Sequence, residues 1–167
     1  MRSAAFVLYV SRDLDAITTY ERERYAGELD KRFGLLASSK GTVLQSFGMD
    51  NSYAVTKRVR LGPWYNDDPS SPFSCCHLRE LVTEFSCQGL ELDFPVVGWG
   101  DDLVWLASRW QNKPGRSRAR DPHRLRINSY RVLLTRGRDG MAIFVPPVSA
   151  MDATHEALLR AGAIELC

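Results

Sequence analysis

The chain has 167 residues, 44 % of them hydrophobic, with 22 Lys and Arg against 20 Asp and Glu. That length suits one domain with a real core, about 150 residues per domain being usual, and a formal net charge of +2 by itself argues for neither nucleic acid nor an acidic partner. No run of about 18 apolar residues occurs, and the opening MRSAAFVLYVSRD has too short an apolar core for a signal peptide, so no membrane partner and a cytoplasmic location are expected.

Ala4 to Val10 is an apolar run of strand length, followed by N-cap chemistry at Ser11-Arg12-Asp13 and by Leu14, Ile17 and Tyr20 at helical spacing. Phe33 to Ala37 predicts a second strand, running into the polar Ser38-Ser39-Lys40-Gly41. Residues 61–77 hold Gly62, Pro63, the turn-type run Asn66 to Pro69 and Pro72, which predicts a long irregular insertion. Leu78 to Phe85 and Phe94 to Trp99 have strand length, and Leu103-Val104-Trp105 suits an edge strand or hairpin. Residues 109–126 are polar, basic and carry two prolines, the pattern of a surface loop. A helix follows, with Asn128-Ser129 as candidate cap, Val132, Leu133 and Leu134 on its buried side and Gly140 beyond its end. Met141 to Val145 is a further strand, stopped by Pro146-Pro147, and Asp152 to Ala161 a last helix. Strands alternating with helices predict one α/β domain over 1–167, its mostly parallel sheet covered by helices on both faces.

Charge is segregated along this plan. Between Arg109 and Arg138 stand ten Lys and Arg residues against one acid, Asp121, while the remainder carries twelve basic and nineteen acidic groups. Cys75, Cys76, Cys87 and Cys167 have neither metal-ligand spacing nor the density of a disulfide scaffold, so reduced thiols and no metal site are expected.

Two stretches carry chemistry. Glu84 to Phe94 reads EFSCQGLELDF and lies between two predicted parallel strands, which puts it at a ligand-binding edge. In open α/β sheets ligands sit beyond the C-terminal strand ends, where glycine permits close backbone approach and amides meet phosphate. The bland alternative is a tight turn with solvated acids. Tyr130 to Pro146 reads YRVLLTRGRDGMAIFVP, a helix, a turn and a strand with arginines at the junction. A guanidinium offers several fixed donors to phosphate oxygens and keeps its charge, which suits a transferring phosphoryl group; alternatively, Arg136 and Arg138 decorate a solvated helix end.

In this order the two stretches resemble motifs V and VI of superfamily 1 helicases, where a Gln-Gly-x-Glu segment precedes a helix ending in Leu-Thr-Arg-Ala-Arg. The closer resemblance is to the Schlafen group 3-like DNA/RNA helicase domain family. Its C-terminal region looks like Gly34 to Lys40, Gly62 to Asp67, the motif V stretch, Trp99 to Leu103 and the motif VI stretch, so the likeness covers most of the chain. It implies a RecA-like second motor domain, with Gly89 near the γ-phosphate of ATP, Glu91 at the ribose and Gln88 coupling that site to the nucleic-acid groove. It further implies Arg136 as the catalytic arginine at the γ-phosphate, Arg138 as an ion-pairing residue and Lys40 as a basic group near the phosphates. Gly137 departs from the usual alanine, and glycine inside a helix costs about 1 kcal/mol relative to alanine.

A helicase ATPase also needs a Gly-rich loop ending in Gly-Lys-Ser/Thr and acids for Mg²⁺, and no G-x-x-x-x-G-K-[ST] string exists here. ATP is therefore expected to be held as a half-site. Its magnesium and phosphate grip would come from a first RecA-like domain in the same or another chain, and this polypeptide alone would not hydrolyse ATP appreciably. DNA or RNA is the expected further partner, with Arg116, Arg118 and Arg120 on phosphates and Trp64 or Tyr65 stacking on bases. A degenerate helicase-derived binding module is the alternative; a weaker one is an enzyme using Cys75 or Cys76 with His77 as base.

Overall fold

A computed structural model describes residues 5–113 and 117–167. Its centre is a six-stranded sheet of β1 (Val7–Ser11), β2 (Leu35–Ala37), β3 (Leu81–Thr83), β4 (Val96–Gly98), β7 (Gly140–Phe144) and β8 (Ile164–Glu165), in the order β3-β2-β4-β7-β1-β8. Every pairing is parallel. The inner strands β2, β4 and β7 are buried along their whole length, as parallel strands covered on both faces must be. A separate antiparallel hairpin joins β5 (Leu103–Leu106) to β6 (Arg109–Asn112).

Helices lie on both faces. α1 (Leu14–Arg24) is capped by Asp13, whose carboxylate accepts from the amides of Asp15 and Ala16 at 2.9 and 3.1 Å. Tyr20 of α1 meets Tyr9 of β1 edge to face, and on the same side Phe47, from a 3-10 turn at Val43–Phe47, packs on Phe144. Across the sheet, α4 (Pro122–Leu134) and α5 (Asp152–Arg160) cover the alternate residues Leu8, Met141 and Ile143.

Three expectations need correction. Residues 61–77 are not wholly irregular: after the four-residue α2 (Tyr53–Thr56), a six-residue α3 (Leu61–Asn66) forms. Pro63 sits in the first turn of α3, where no N–H is needed. α4 starts six residues before the expected cap: Asp121 caps it, accepting from Arg124 N at 3.0 Å, with Pro122 at its first position. Asn128 and Ser129 lie inside the helix, and half of the presumed basic loop belongs to β6 or α4. Finally, α4 ends at Leu134, so Gly137 is not helical. It bridges Leu92 in parallel, and a Cβ there would stand 2.2 Å from the carbonyl oxygen of Gly140, so glycine serves close backbone approach rather than loosening a helix.

Candidate functional site

The motif V and motif VI stretches meet at one sheet edge, and it is the N-terminal one. Leu92 N donates to the Arg136 carbonyl and Arg138 N to the Leu92 carbonyl, each at 2.8 Å, and Asp93 N donates to the Arg32 carbonyl at 2.7 Å. Arg32, Asp93 and Arg138 all precede the strands β2, β4 and β7. The expectation of a C-terminal edge therefore needs correction for the end of the stretch: it starts there, with Cys87 N donating to the carbonyl of Thr83 at the end of β3, but Leu92 and Asp93 lie at the N-terminal edge, the whole being the crossover that returns from β3 to the start of β4.

Arg136 is half-buried and its guanidinium wraps the Gln88-Gly89 turn. Nε donates to the Val132 carbonyl at 2.9 Å, Nη1 to the carbonyls of Leu90 and Cys87 at 3.1 and 3.4 Å, and Nη2 to Thr135 Oγ1 at 3.0 Å. Of its five donors, one Nη2 hydrogen has no acceptor among the described residues. Gly89 has φ +78° and open space where a Cβ would be, so its amide turns on an exposed, left-handed corner. Gln88 is exposed beside it.

Glu91 is exposed and pairs with Arg138 at 3.3 Å; Arg138 also lies 3.6 Å from the buried Asp93. The hydrogen bond that Arg138 donates to Glu91 and the charge of Asp93 raise the pKa of Arg138 further. Asp93, which the sequence did not single out, accepts from Arg32 N at 2.8 Å and from Lys31 Nζ at 3.3 Å, and so anchors the basic groups of this edge. Its signal was its place two residues beyond Glu91. Among the described residues no group of three or more His, Cys, Asp or Glu side chains could hold a metal ion.

Other expected site residues fall elsewhere. Lys40 is exposed just past the C-terminal end of β2, on the opposite edge from Arg136, and does not join Gly89, Glu91 and Arg136. Trp64 is 1 % exposed, its Nε1 donating to the Glu80 carbonyl at 3.1 Å and its ring packed where a Cβ on Gly34 would stand 2.8 Å away, so it is core and cannot stack on bases. Tyr65 is half-buried and donates its hydroxyl to the Glu91 carbonyl at 3.0 Å, placing it at the Arg136 edge rather than beside the basic segment. Arg118 and Arg120 are exposed ahead of α4, and Arg116 lies outside the described residues. His77 Nε2 engages the Ser71 carbonyl at 2.8 Å and Cys76 Sγ donates to the Lys31 carbonyl, so the thiol–imidazole pair of the weakest reading is not formed among the described residues.

The C-terminal edge carries a buried network the sequence did not reveal. Ser38 Oγ donates to Asp102 Oδ2 at 2.5 Å, Ser39 N and Oγ donate to Glu84 at 2.8 and 2.9 Å, and Tyr130 OH donates to Asp102 Oδ1 at 2.7 Å. Arg126 of α4 reaches in among them, 3.1 Å from Asp102 and 3.7 Å from Glu84. Burial first, and the Asp102 carboxylate second, push the Tyr130 phenol well above its ordinary pKa, which keeps it a donor. Asn51 completes the set, donating to the carbonyls of Ser38 and Gly41 at 2.6 Å each.

A parallel α/β sheet with the motif V turn and the motif VI arginine converging on one edge can be compared with known families. The Schlafen group 3, DNA/RNA helicase domain family matches residues 1–147. The chain belongs to this family. A search of curated proteins finds no match. Membership makes this a helicase-like domain of a nucleic-acid-acting family, and among the described residues no helix is long and apolar enough to cross a membrane.

Proposed function

We infer that the chain is the second motor domain of a superfamily 1 DNA or RNA helicase or translocase. In this reading it completes an ATP site and a nucleic-acid groove with a first RecA-like domain that carries the phosphate loop, in the same or another chain. The observation that carries it is the convergence of the Arg136 guanidinium, the exposed Gly89 corner and the Glu91–Arg138 pair on one edge. When bound there, ATP supplies the transferable γ-phosphoryl group, with its magnesium held by the first domain. Arg136 then supplies fixed positive charge, Gly89 an unhindered backbone amide, and Glu91 acceptor oxygens for hydroxyls.

One observation favours a second reading, a degenerate helicase-derived binding or regulatory module. Four of the five Arg136 donors are spent on the chain's own oxygens and one Glu91 oxygen pairs with Arg138, so the edge is largely closed on itself. Docking of the first domain would have to draw Arg136 off the carbonyls of Cys87 and Leu90.

Complementation separates the two. The chain is mixed with a separately expressed first domain bearing the phosphate loop, and nucleic-acid-stimulated ATPase activity is measured. The motor reading expects turnover only in the mixture, falling by about a hundredfold or more with Arg136→Ala. Absence of stimulation at saturating partner, or turnover by the chain alone that survives Arg136→Ala, overturns it.

A further inference from the structure

The β5–β6 hairpin holds a conformation that its sequence does not favour. Its two-residue loop is Ala107-Ser108, with φ of 50° and 61°, a turn in which both residues are left-handed and where asparagine and glycine are usual. Backbone strain of this kind persists where the surroundings enforce it. Here they do so through aromatic packing. Trp105 and Trp110 face each other across the hairpin with ring centroids 5.2 Å apart, Trp99 lies 5.2 Å beyond Trp110, and Tyr130 of α4 lies 4.5 Å beyond Trp99. A row of rings thus runs from Tyr130 on the buried helix through Trp99 and Trp110 to Trp105, the last two half-exposed.

Beside Trp110 the row borders a cavity of about 300 Å³ lined by Arg109, Trp110, Gln111, Asn112 and His123. His123 Nδ1 lies 3.1 Å from Asn112 Oδ1, tying the first turn of α4 to β6, and Gln111 Nε2 donates to the Leu106 carbonyl at 2.9 Å. Among the described residues, Asn112 Nδ2 and Gln111 Oε1 make no hydrogen bond, leaving one donor and one acceptor beside the indole. The ion pairs of this region belong to Lys113, Arg126 and Arg138; among the described residues Arg109, Arg118, Arg120 and Arg124 make none. An aromatic face, an amide pair and unneutralised arginines are what a nucleotide with a solvent-facing base requires.

We propose that the β5–β6 hairpin and the first turn of α4 form a contact site for single-stranded nucleic acid. One base packs against the half-exposed Trp110 in this cavity, within reach of the Asn112 or Gln111 amide, and Arg109 and His123 flank the adjoining phosphates. The proposal rests on the nucleic-acid side of the motor reading and gives it a location. Duplex is disfavoured because paired bases hide the faces that stacking needs.

The test uses the whole chain and a fluorescein-labelled twelve-nucleotide oligothymidylate, read by anisotropy at low salt. Arg109→Glu combined with His123→Glu changes two solvent-facing positions and is expected to weaken binding about tenfold. As a second, fold-independent readout, an oligonucleotide carrying 4-thiothymidine should photo-cross-link to the peptide that begins at Trp110. Cross-linking confined to other peptides, equal affinity for a duplex of the same length, or equally tight binding of polyglutamate overturns the site. If the double variant keeps full affinity while Arg118→Glu with Arg120→Glu loses it, this site falls and the nucleic-acid reading stands. If the unsubstituted chain binds no oligonucleotide at low salt, both fall.

Discussion

Arg136 holds local structure with the same donors that the proposed motor role would need. Its bonds to the carbonyls of Leu90 and Cys87 hold the Gly89 corner against the end of α4, and the same bonds occupy the donors a phosphate would take. The neighbouring Gly137 sets that geometry. A methyl group there would stand 2.2 Å from the Gly140 carbonyl oxygen and 3.2 Å from Pro95 Cδ. Gly137→Ala should therefore cost about 1–3 kcal/mol, the usual range for forcing atoms into a packed site, and urea denaturation measures it. An unchanged midpoint would mean that the Gly137 to Gly140 turn relaxes freely. At the other end of the buried scale stands Glu21 of α1, 0 % exposed, with neither carboxyl oxygen hydrogen-bonded among the described residues. Burial raises its pKa from 4.5 to about 9. Above pH 4.5 the unfolded chain releases this proton while the folded chain keeps it, so stability falls as pH rises towards 9. Glu21→Gln abolishes that term. Denaturation of the two proteins from pH 5 to 8 should show the glutamine variant gaining about 1.4 kcal/mol per pH unit over the parent. Parallel pH profiles would contradict a buried, protonated Glu21.

Elements were legible in the sequence where the local pattern and the tertiary role coincide. The apolar runs around β1, β2, β4 and β7 and the Asp13 cap of α1 were readable because central strands of a parallel sheet are continuous hydrophobic runs and caps are local. α3 was not, because Gly62 and Pro63 read as turn chemistry while tertiary burial of Trp64 against Gly34 overrides propensity. The start of α4 carried a usable signal, Asp121-Pro122, which the basic composition around it obscured. β8 is two residues long and gains its identity only by pairing with β1, so no periodicity could disclose it. The candidate site divides the same way. Gly89, Glu91 and Arg136 were found through motif spacing and do come together, whereas Lys40, equally plausible as a basic residue after a strand, lies on the far edge. Which edge a crossover serves depends on strand order, and strand order is not a local property.

Those two edges define the molecule as a whole. α4 joins them: its thirteen residues span about 20 Å, with Arg126 near one end among Ser38, Glu84 and Asp102 and with Arg136 just past the other. The coupling to be tested is that a displacement of this helix at the C-terminal edge reaches the arginine at the N-terminal edge. The anchor is itself strong, because Arg126 is the cation facing two buried carboxylates, and removing one partner of a buried ion pair usually costs about 3–5 kcal/mol. Arg126→Ala should lose stability on that scale in thermal or urea denaturation. Arg126→Lys keeps the charge but not the planar guanidinium whose Nη1 reaches Ser38 and Asp102, so it tests coupling rather than folding. In the complemented motor, the lysine variant should turn over ATP at the parent rate without nucleic acid and respond several-fold less when nucleic acid is added. Equal stimulation of the two would show that Arg126 serves only to hold the fold, and that any signal between the edges travels by another element.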